Sequence, residues 1–215
     1  MLPRLVAGFF VIPLAGVFAQ TDALAPGMFL VASRDLGDPN FAHAVVLLIH
    51  YDDENGAMGL IVNRRSDVPL SRVFAELKEA KGRNDTIYIG GPVETGSVLA
   101  LLKSASKPND AERVFGDVYV ISSKTLLEKT LADGIEAGQF HAFLGYAGWA
   151  RDQLEHEVEL GAWHVVPADS GDVFHADPDS VWPRLIRRTE VRIAKGYSDR
   201  SVMIGSTWVA RRAGR

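Results

Sequence analysis

Two apolar runs joined by a tight polar turn restrict the fold of this chain more than any other feature. Ala42–Tyr51 reads AHAVVLLIHY, Met58–Asn63 reads MGLIVN, and Asp52-Asp53-Glu54-Asn55-Gly56 lies between them. The first run is continuous and rich in β-branched and aliphatic residues, the pattern of a strand covered on both faces. Asn-Gly supplies the positive φ angles that a hairpin turn needs. An apolar hairpin is not stable alone in water, so further strands and helices must cover it. The chain has the material for this: 215 residues, 47% apolar and 23% charged. That is globular composition, which excludes disordered and collagen-like classes. A fold of this length buries on the order of 70% of its unfolded surface and needs no metal or disulfide staple.

The rest of the chain alternates strand and helix patterns. Met28–Ala32, Thr86–Ile89, Ser97–Leu102, Val114–Ile121, Phe140–Tyr146 and Trp163–Val166 read as strands. Leu70, Val73, Phe74 and Leu77 fall at i, i+3, i+4 and i+7, which predicts an amphipathic helix over Pro69–Lys81 ended by Gly82. Ser123 caps a second helix stopped by Gly134, a third covers Ala150–Leu160, and Asp177-Pro178 opens a last one carrying Trp182, Leu185 and Ile186. Ser201–Val209 is a weak strand pattern. No repeat or linker divides the chain, and the expectation is one α+β domain.

Charge and leader bear on address. Met1–Ala19 has one cation, Arg4, then the uncharged apolar run Leu5–Phe18, then Val17-Phe18-Ala19 before Gln20. This is the pattern of a cleavable secretory signal, and about 14 apolar residues are short of the roughly 20 that span a bilayer. The expectation is residues 1–19 as signal peptide and a periplasmic mature chain without a membrane span; an uncleaved anchor, or a misassigned start ahead of a cytoplasmic domain, are the alternatives. From Arg184 to Arg215 nine basic residues face two acidic ones, so this stretch is +7 and everything before it −11. A basic tail on an acidic body can seek phosphate on a nucleic acid or an anionic membrane, or simply keep the chain soluble. An acidic body is a poor platform for duplex DNA. Zero cysteines exclude disulfides, thiol nucleophiles and zinc–thiolate sites.

Signatures of chemistry are sparse. There is no Gly-x-Ser-x-Gly elbow. Gly91–Ser97 (GPVETGS) has the glycine spacing of a phosphate loop but lacks its Lys, and Pro92 removes a backbone donor. His43 and His50 are seven apart on one strand, and His141, His156, His164 and His175 scatter, so no metal set is expected. The acidic turn fails calcium-loop spacing, and no cofactor is expected. Two clusters remain. Asn63-Arg64-Arg65 follows the hairpin, where Arg64 can meet a carboxylate or phosphate, or merely mark a solvated strand exit. Gly145-Tyr146-Ala147-Gly148-Trp149, with Arg151, Asp152 and Gln153 beyond, lets a backbone or ligand approach two aromatics, or lets a strand turn into a helix over core aromatics.

Several separated motifs resemble the YqgE/AlgH family over roughly Leu24–Arg188. They are GMFLVA (27–32), LGDPNF (36–41), VVLL (45–48), GAMGLIVN (56–63), GGPV (90–93), GYAGW (145–149), QLE (153–155) and AWH (162–164). The resemblance implies a single α+β domain, here 20–188, with bent, bifurcated, mostly antiparallel β-sheets and flanking helices. It implies no settled activity; members often carry a transcriptional-regulator label, and nothing here resembles a helix-turn-helix. The sequence departs from the family pattern in three places. Glu94-Thr-Gly-Ser stands where an aromatic and a His are more typical, a signal-like leader precedes the domain, and residues 189–215 form a basic C-terminal extension.

The resulting expectation is a non-enzymatic binding or interaction module of the bacterial envelope, for an unidentified protein or a small anionic ligand. Its recognition surface would join Asn63, Arg64, Gly90, Gly91, Pro92, Tyr146, Trp149 and Gln153. A structure placing them more than about 15 Å apart would end this reading of one joint surface, since a small-molecule pocket spans less than that. The alternatives are a cytoplasmic regulator acting with nucleic acid or a regulatory protein, or a hydrolase or transferase using His164, Asp169 or His175 as acid/base with Ser170 as nucleophile.

Overall fold

The structure, a computed structural model, describes residues 23–194. The leader, the chain from 195 onward and the Ser201–Val209 pattern lie outside the described residues. The hairpin forms as expected: β2 (Val45–Asp52) pairs antiparallel with β3 (Gly56–Ile61), with Asp52 opposite Gly56. Asp52 Oδ1 accepts from the Glu54 and Asn55 backbone N–H groups at 2.8 Å each, so a short aspartate side chain ties the turn. β1 (Met28–Ala32) lies along the other edge of β2, and β10 (Trp163–Pro167) along the other edge of β1. The two ends of the domain are thereby neighbours.

The centre of the molecule is β9 (Phe140–Trp149), which continues through both glycines of its GYAGW motif to Trp149. One of its edges pairs antiparallel with β6 (Val93–Lys103). Its other edge is divided. Phe143 and Leu144 pair in parallel with β5 (Thr86–Ile89), whereas Ala147, Gly148 and Trp149 pair antiparallel with β3. β4 (Arg65–Pro69) lies antiparallel on β5, and β8 (Val118–Ile121) and β7 (Glu112–Phe115) extend the sheet beyond β6. The sheet therefore forks at β9, which gives physical content to the expected bent, bifurcated, mostly antiparallel α+β fold. It also curls: a side chain at Gly27, ahead of β1, would sit 2.7 Å from Cβ of Phe115 at the end of β7.

Backbone contacts hold the fork. Gly90 N–H donates to Leu144 O at 2.8 Å on one branch, and Gly90 O accepts from Ile61 N–H at 2.9 Å on the other. A Cβ at Gly91 would lie 2.2 Å from the Tyr146 carbonyl, and one at Gly145 would lie 2.7 Å from the carbonyls of Gly91 and Val93. Gly145 also has φ +66°, the left-handed region that glycine enters without steric cost. The GGPV and GYAGW motifs are thus the two sides of one seam.

Two apolar clusters fill the concave faces. One joins β1–β3 to Trp149, Leu154, Trp163 and the last helix. The other joins β6, β8 and the start of β9 to Leu70, Phe74, Leu127 and Leu131. Those leucines belong to α1 (Leu70–Val73) and α2 (Lys124–Ala132), the latter capped by Ser123 as expected. α3 (Gln153–Glu159) and α4 (Ser170–Val173) follow, then a 3-10 turn Pro178–Ser180, and α5 is helical from 181 to 194.

Three element expectations change. The helix predicted over Pro69–Lys81 is one turn, α1, followed by extended Leu77 and a 3-10 turn Lys78–Ala80. Pro69 opposes Thr86 and Leu70 N–H donates to Asp85 O at 2.9 Å, so strand pairing takes the residues that would nucleate the helix. Val114–Ile121 is a hairpin turning at Gly116-Asp117, not a single strand. The helix expected from Ala150 starts only at Gln153, because β9 runs to Trp149 and Asp152, at φ +61°, turns the chain.

Candidate functional site

The fork gathers part of the expected surface. Ile89 N–H donates to Arg64 O at 2.9 Å, and Gly90, Gly91 and Tyr146 are in backbone contact, with exposed Pro92 next along. Trp149 and Gln153 lie elsewhere. Trp149 opposes Ala57 at the far end of β3, about 20 Å from Asn63 at about 3.3 Å per strand residue. The eight residues do not line one small-molecule pocket.

Side chains at the fork mostly serve the fold. Asn63 Oδ1 accepts from Val45 N–H at 2.8 Å and its Nδ2 donates to His43 O at 2.9 Å, closing the end of the hairpin where backbone pairing stops. Arg64 Nη1 donates to Asn40 O at 2.7 Å, so its guanidinium braces the loop before β2, and partial burial lowers its pKa. What remains presented to solvent is half-buried Tyr146 with exposed Pro92, Glu94 and Gly148. The Tyr146 hydroxyl donates to Glu94 Oε1 at 3.5 Å, a long bond with little hold on either group. Glu94 takes φ +45° at the irregularity where β6 leaves register with β9, and Ser97 Oγ donates to its carbonyl at 2.8 Å.

Trp149 and Gln153 converge instead on Glu157, a residue the sequence reading missed. Glu157 Oε2 accepts from the indole N–H of Trp149 at 3.0 Å and of Trp163 at 2.8 Å, and Oε1 accepts from Gln153 Nε2 at 2.9 Å. Phe41 packs on both indoles, with ring centroids 5.9 and 5.5 Å away. Beside this cluster the Tyr51 hydroxyl donates to Glu155 Oε1 at 2.6 Å, and that bond raises the phenol pKa well above its usual range. The i, i+4 spacing of Gln153 and Glu157 was the available signal, but nothing in it indicated two tryptophans from different strands.

A third cluster surrounds His141. Its ring stacks on Tyr88 at 4.5 Å and lies 5.1 Å from Phe174, and its Nδ1 is buried without a protein partner. Burial, then the nearby Arg65 charge, push the His141 pKa down to about 4, so the ring is neutral at physiological pH. Arg65 Nη2 donates to Ala176 O at 2.8 Å, and Arg184 pairs with buried Asp172 at 2.5 Å, pinning α4 and the following loop over this face.

Two of the acid/base candidates, Asp169 and His175, serve local structure. Asp169 Oδ1 accepts from Gly171 N–H at 2.8 Å as the cap of α4, His175 Nδ1 accepts from Asp177 N–H at 3.1 Å, and burial lowers the His164 pKa. An open depression of about 620 Å³ lies between the end of β6 and α2, lined by Lys103, Pro108, Leu126 and Ile135, and includes none of the expected residues. Among the described residues no cluster of metal-ligating side chains occurs, and no helix is long and apolar enough to cross a membrane.

Comparison with known proteins agrees with this architecture. Residues 29–194 match the model of a family described as AlgH-like. A UPF0301 protein of Thermobifida fusca is 36% identical over 184 residues, covering 79% of this chain and 90% of that one. Another, from Azoarcus sp., is 34% identical over 171 residues, covering 78% and 90%. Among solved structures, protein DIP2367 of Corynebacterium diphtheriae superposes with TM-score 0.67 at 28% identity, over 79% of this chain and 89% of that one. The AlgH protein of Pseudomonas aeruginosa superposes with TM-score 0.60 at 30% identity, over 80% and 87%. With family motifs on both sides of the fork, this sheet topology and these matches, the chain belongs to the AlgH-like family.

Proposed function

We infer that the protein is a non-enzymatic binding module, exported to the periplasm, that recognises a protein partner at the rim of the forked sheet. One observation carries this reading: the fork has a rigid floor and a loosely engaged rim. Gly90, Gly91 and Gly145 pack backbone on backbone, while Tyr146 and Glu94 stand above them joined by a 3.5 Å bond. A tyrosine on a rigid support offers large contact area at low entropic cost, which suits recognition. The Arg64 guanidinium is turned to backbone carbonyls, which favours a protein partner over a small anion. Asp169 and His175 are engaged in local hydrogen bonds, which favours binding over acid/base catalysis by them. The leader pattern supports export.

A photo-reactive phenylalanine analogue at position 146, introduced in the native host, tests the reading. The expected result is one discrete adduct in the periplasmic fraction, on a chain whose mass shows it begins at Gln20. The same analogue at exposed Glu112, on the distant edge strand β7, should not produce it. Identical adducts from both positions, or none from either, would overturn the rim as a recognition surface. An adduct confined to the cytosol, on a chain retaining its leader, would overturn export and restore the regulator reading.

A further inference from the structure

A second surface lies away from the fork, in the open depression of about 620 Å³ between the end of β6 and α2. Its size is in the range that takes small-molecule ligands. One wall is a single face of α2: Leu126, Lys129, Thr130 and Asp133 fall at i, i+3, i+4 and i+7. The adjoining face of α2 buries Leu127 and Leu131 in the second apolar cluster, which fixes this wall in place. The facing wall carries Lys103, at the end of β6, and Asp117 of the β7–β8 turn, joined where Ser104 N–H donates to Asp117 O at 2.9 Å. The floor is apolar: Leu102 is buried, and half-buried Leu126 and Ile135 pack on the second cluster.

Charge on these walls is balanced and partly unpaired. Each wall holds one cation and one anion, Lys129 with Asp133 and Lys103 with Asp117. Lys103 and Asp117 pair loosely at 3.8 Å. On α2, Lys124 and Glu128 close an i, i+4 pair at 3.6 Å. Lys129 and Asp133 have the same spacing, yet they form no ion pair or side-chain hydrogen bond among the described residues. A ligand of one charge sign is attracted by half of this lining and repelled by the other half. A ligand carrying both signs around an apolar body suits all of it.

We propose that the depression binds short peptides with free termini and apolar side chains. Asp133 is the C-cap of α2, where the helix dipole adds negative potential, and it takes the peptide ammonium. Lys129, one turn earlier, takes the carboxylate. Side chains at i and i+4 start about 5–6 Å apart, and the termini of an extended dipeptide are separated by about 6 Å. That match favours a dipeptide over a single amino acid, whose charged groups lie within about 3 Å. The peptide side chains cover Leu102, Leu126 and Ile135. The site shares no residue with the fork and does not depend on recognition there.

Titration of the whole isotope-labelled chain with leucyl-leucine, followed by heteronuclear NMR, is the test. Saturable shifts should collect at the amides of 102–109 and 126–135, with Glu94 and Tyr146 unmoved. Acetylating the peptide amine, or amidating its carboxylate, should weaken binding about threefold to fivefold, the upper range of an exposed ion pair. Asp133→Asn should weaken leucyl-leucine by the same factor and leave the N-acetylated peptide unaffected. Lys129→Gln should likewise weaken the free peptide and leave the amidated one unaffected. Both side chains are exposed, so the two variants should keep the parent melting temperature. An absence of saturable shifts, or shifts centred elsewhere, overturns the proposal. So does equal binding of the free and doubly blocked peptides, which would make the depression an apolar surface only. Leucine binding as tightly as leucyl-leucine would overturn the dipeptide as its ligand.

Discussion

His141 and Glu157 show how much of this protein's polar chemistry is internal. The imidazole packed against Tyr88 and Phe174 is held toward its neutral form in the folded chain, whereas in the unfolded chain it titrates near 6.5. Its folded pKa is about 4, so between those values the unfolded state binds more protons and stability falls as pH falls. The expected cost is up to about 3 kcal/mol, complete by about pH 4 and absent above pH 7. Chemical denaturation across that range should show the slope in the native chain and a flatter profile in His141→Phe; identical profiles would place the titrating group elsewhere. Glu157 is the reverse case, a carboxylate whose oxygens are occupied by two indoles and an amide. Glu157→Leu strands the N–H groups of Trp149 and Trp163, 5% and 2% exposed. At about 1–3 kcal/mol for each orphaned donor, the variant should lose about 3 kcal/mol, read as a shifted denaturation midpoint with altered tryptophan emission. Neither role was visible in the sequence: a lone His and a Glu on an amphipathic helix read alike whether they face solvent or three aromatic rings.

At the scale of elements, the fork depends on glycines whose need comes from the opposing strand, to which Gly145 adds its own left-handed φ. Gly91→Ala would place Cβ 2.2 Å from a carbonyl carbon and oxygen of the Tyr146 backbone, which cannot move without opening the β6–β9 pairing. A loss of more than about 3 kcal/mol, seen as a large fall in melting temperature or insoluble expression, is the expected outcome. Gly82→Ala, with nothing within 4 Å of the new methyl, is the control and should stay within about 0.5 kcal/mol. The hairpin, β1, β5, β10 and the Ser123-capped helix were all readable from local pattern, because their apolar alternation, turns and caps lie within a few residues. The helix expected over Pro69–Lys81 was not a fault of periodicity: Leu70 and Phe74 are buried as predicted. Its residues simply obtain that burial from a strand end and two short turns, since pairing of β4 with β5 competes for the same backbone donors.

On the scale of the molecule, one strand decides the architecture. β9 serves β5 and β3 on one edge and β6 on the other, so two apolar clusters share a single sheet. The rim at Tyr146 and the depression beside α2 are outward products of that arrangement, the first raised on the seam, the second left between α2 and the end of β6. From the sequence alone came the α+β class, the hairpin and most strands, the charge division between body and tail, the leader pattern and the family motifs. Each is written in local spacing, side-chain type or composition, which need no knowledge of distant partners. Only the tertiary structure decided that GGPV and GYAGW face each other, that Asn63 and Arg64 brace loops, that Trp149 and Gln153 belong to Glu157, and that Lys129 and Asp133 line an open depression. Those facts depend on which segments meet after the sheet forks and curls. A strand's sequence specifies which of its faces is apolar, but not which neighbour will cover it.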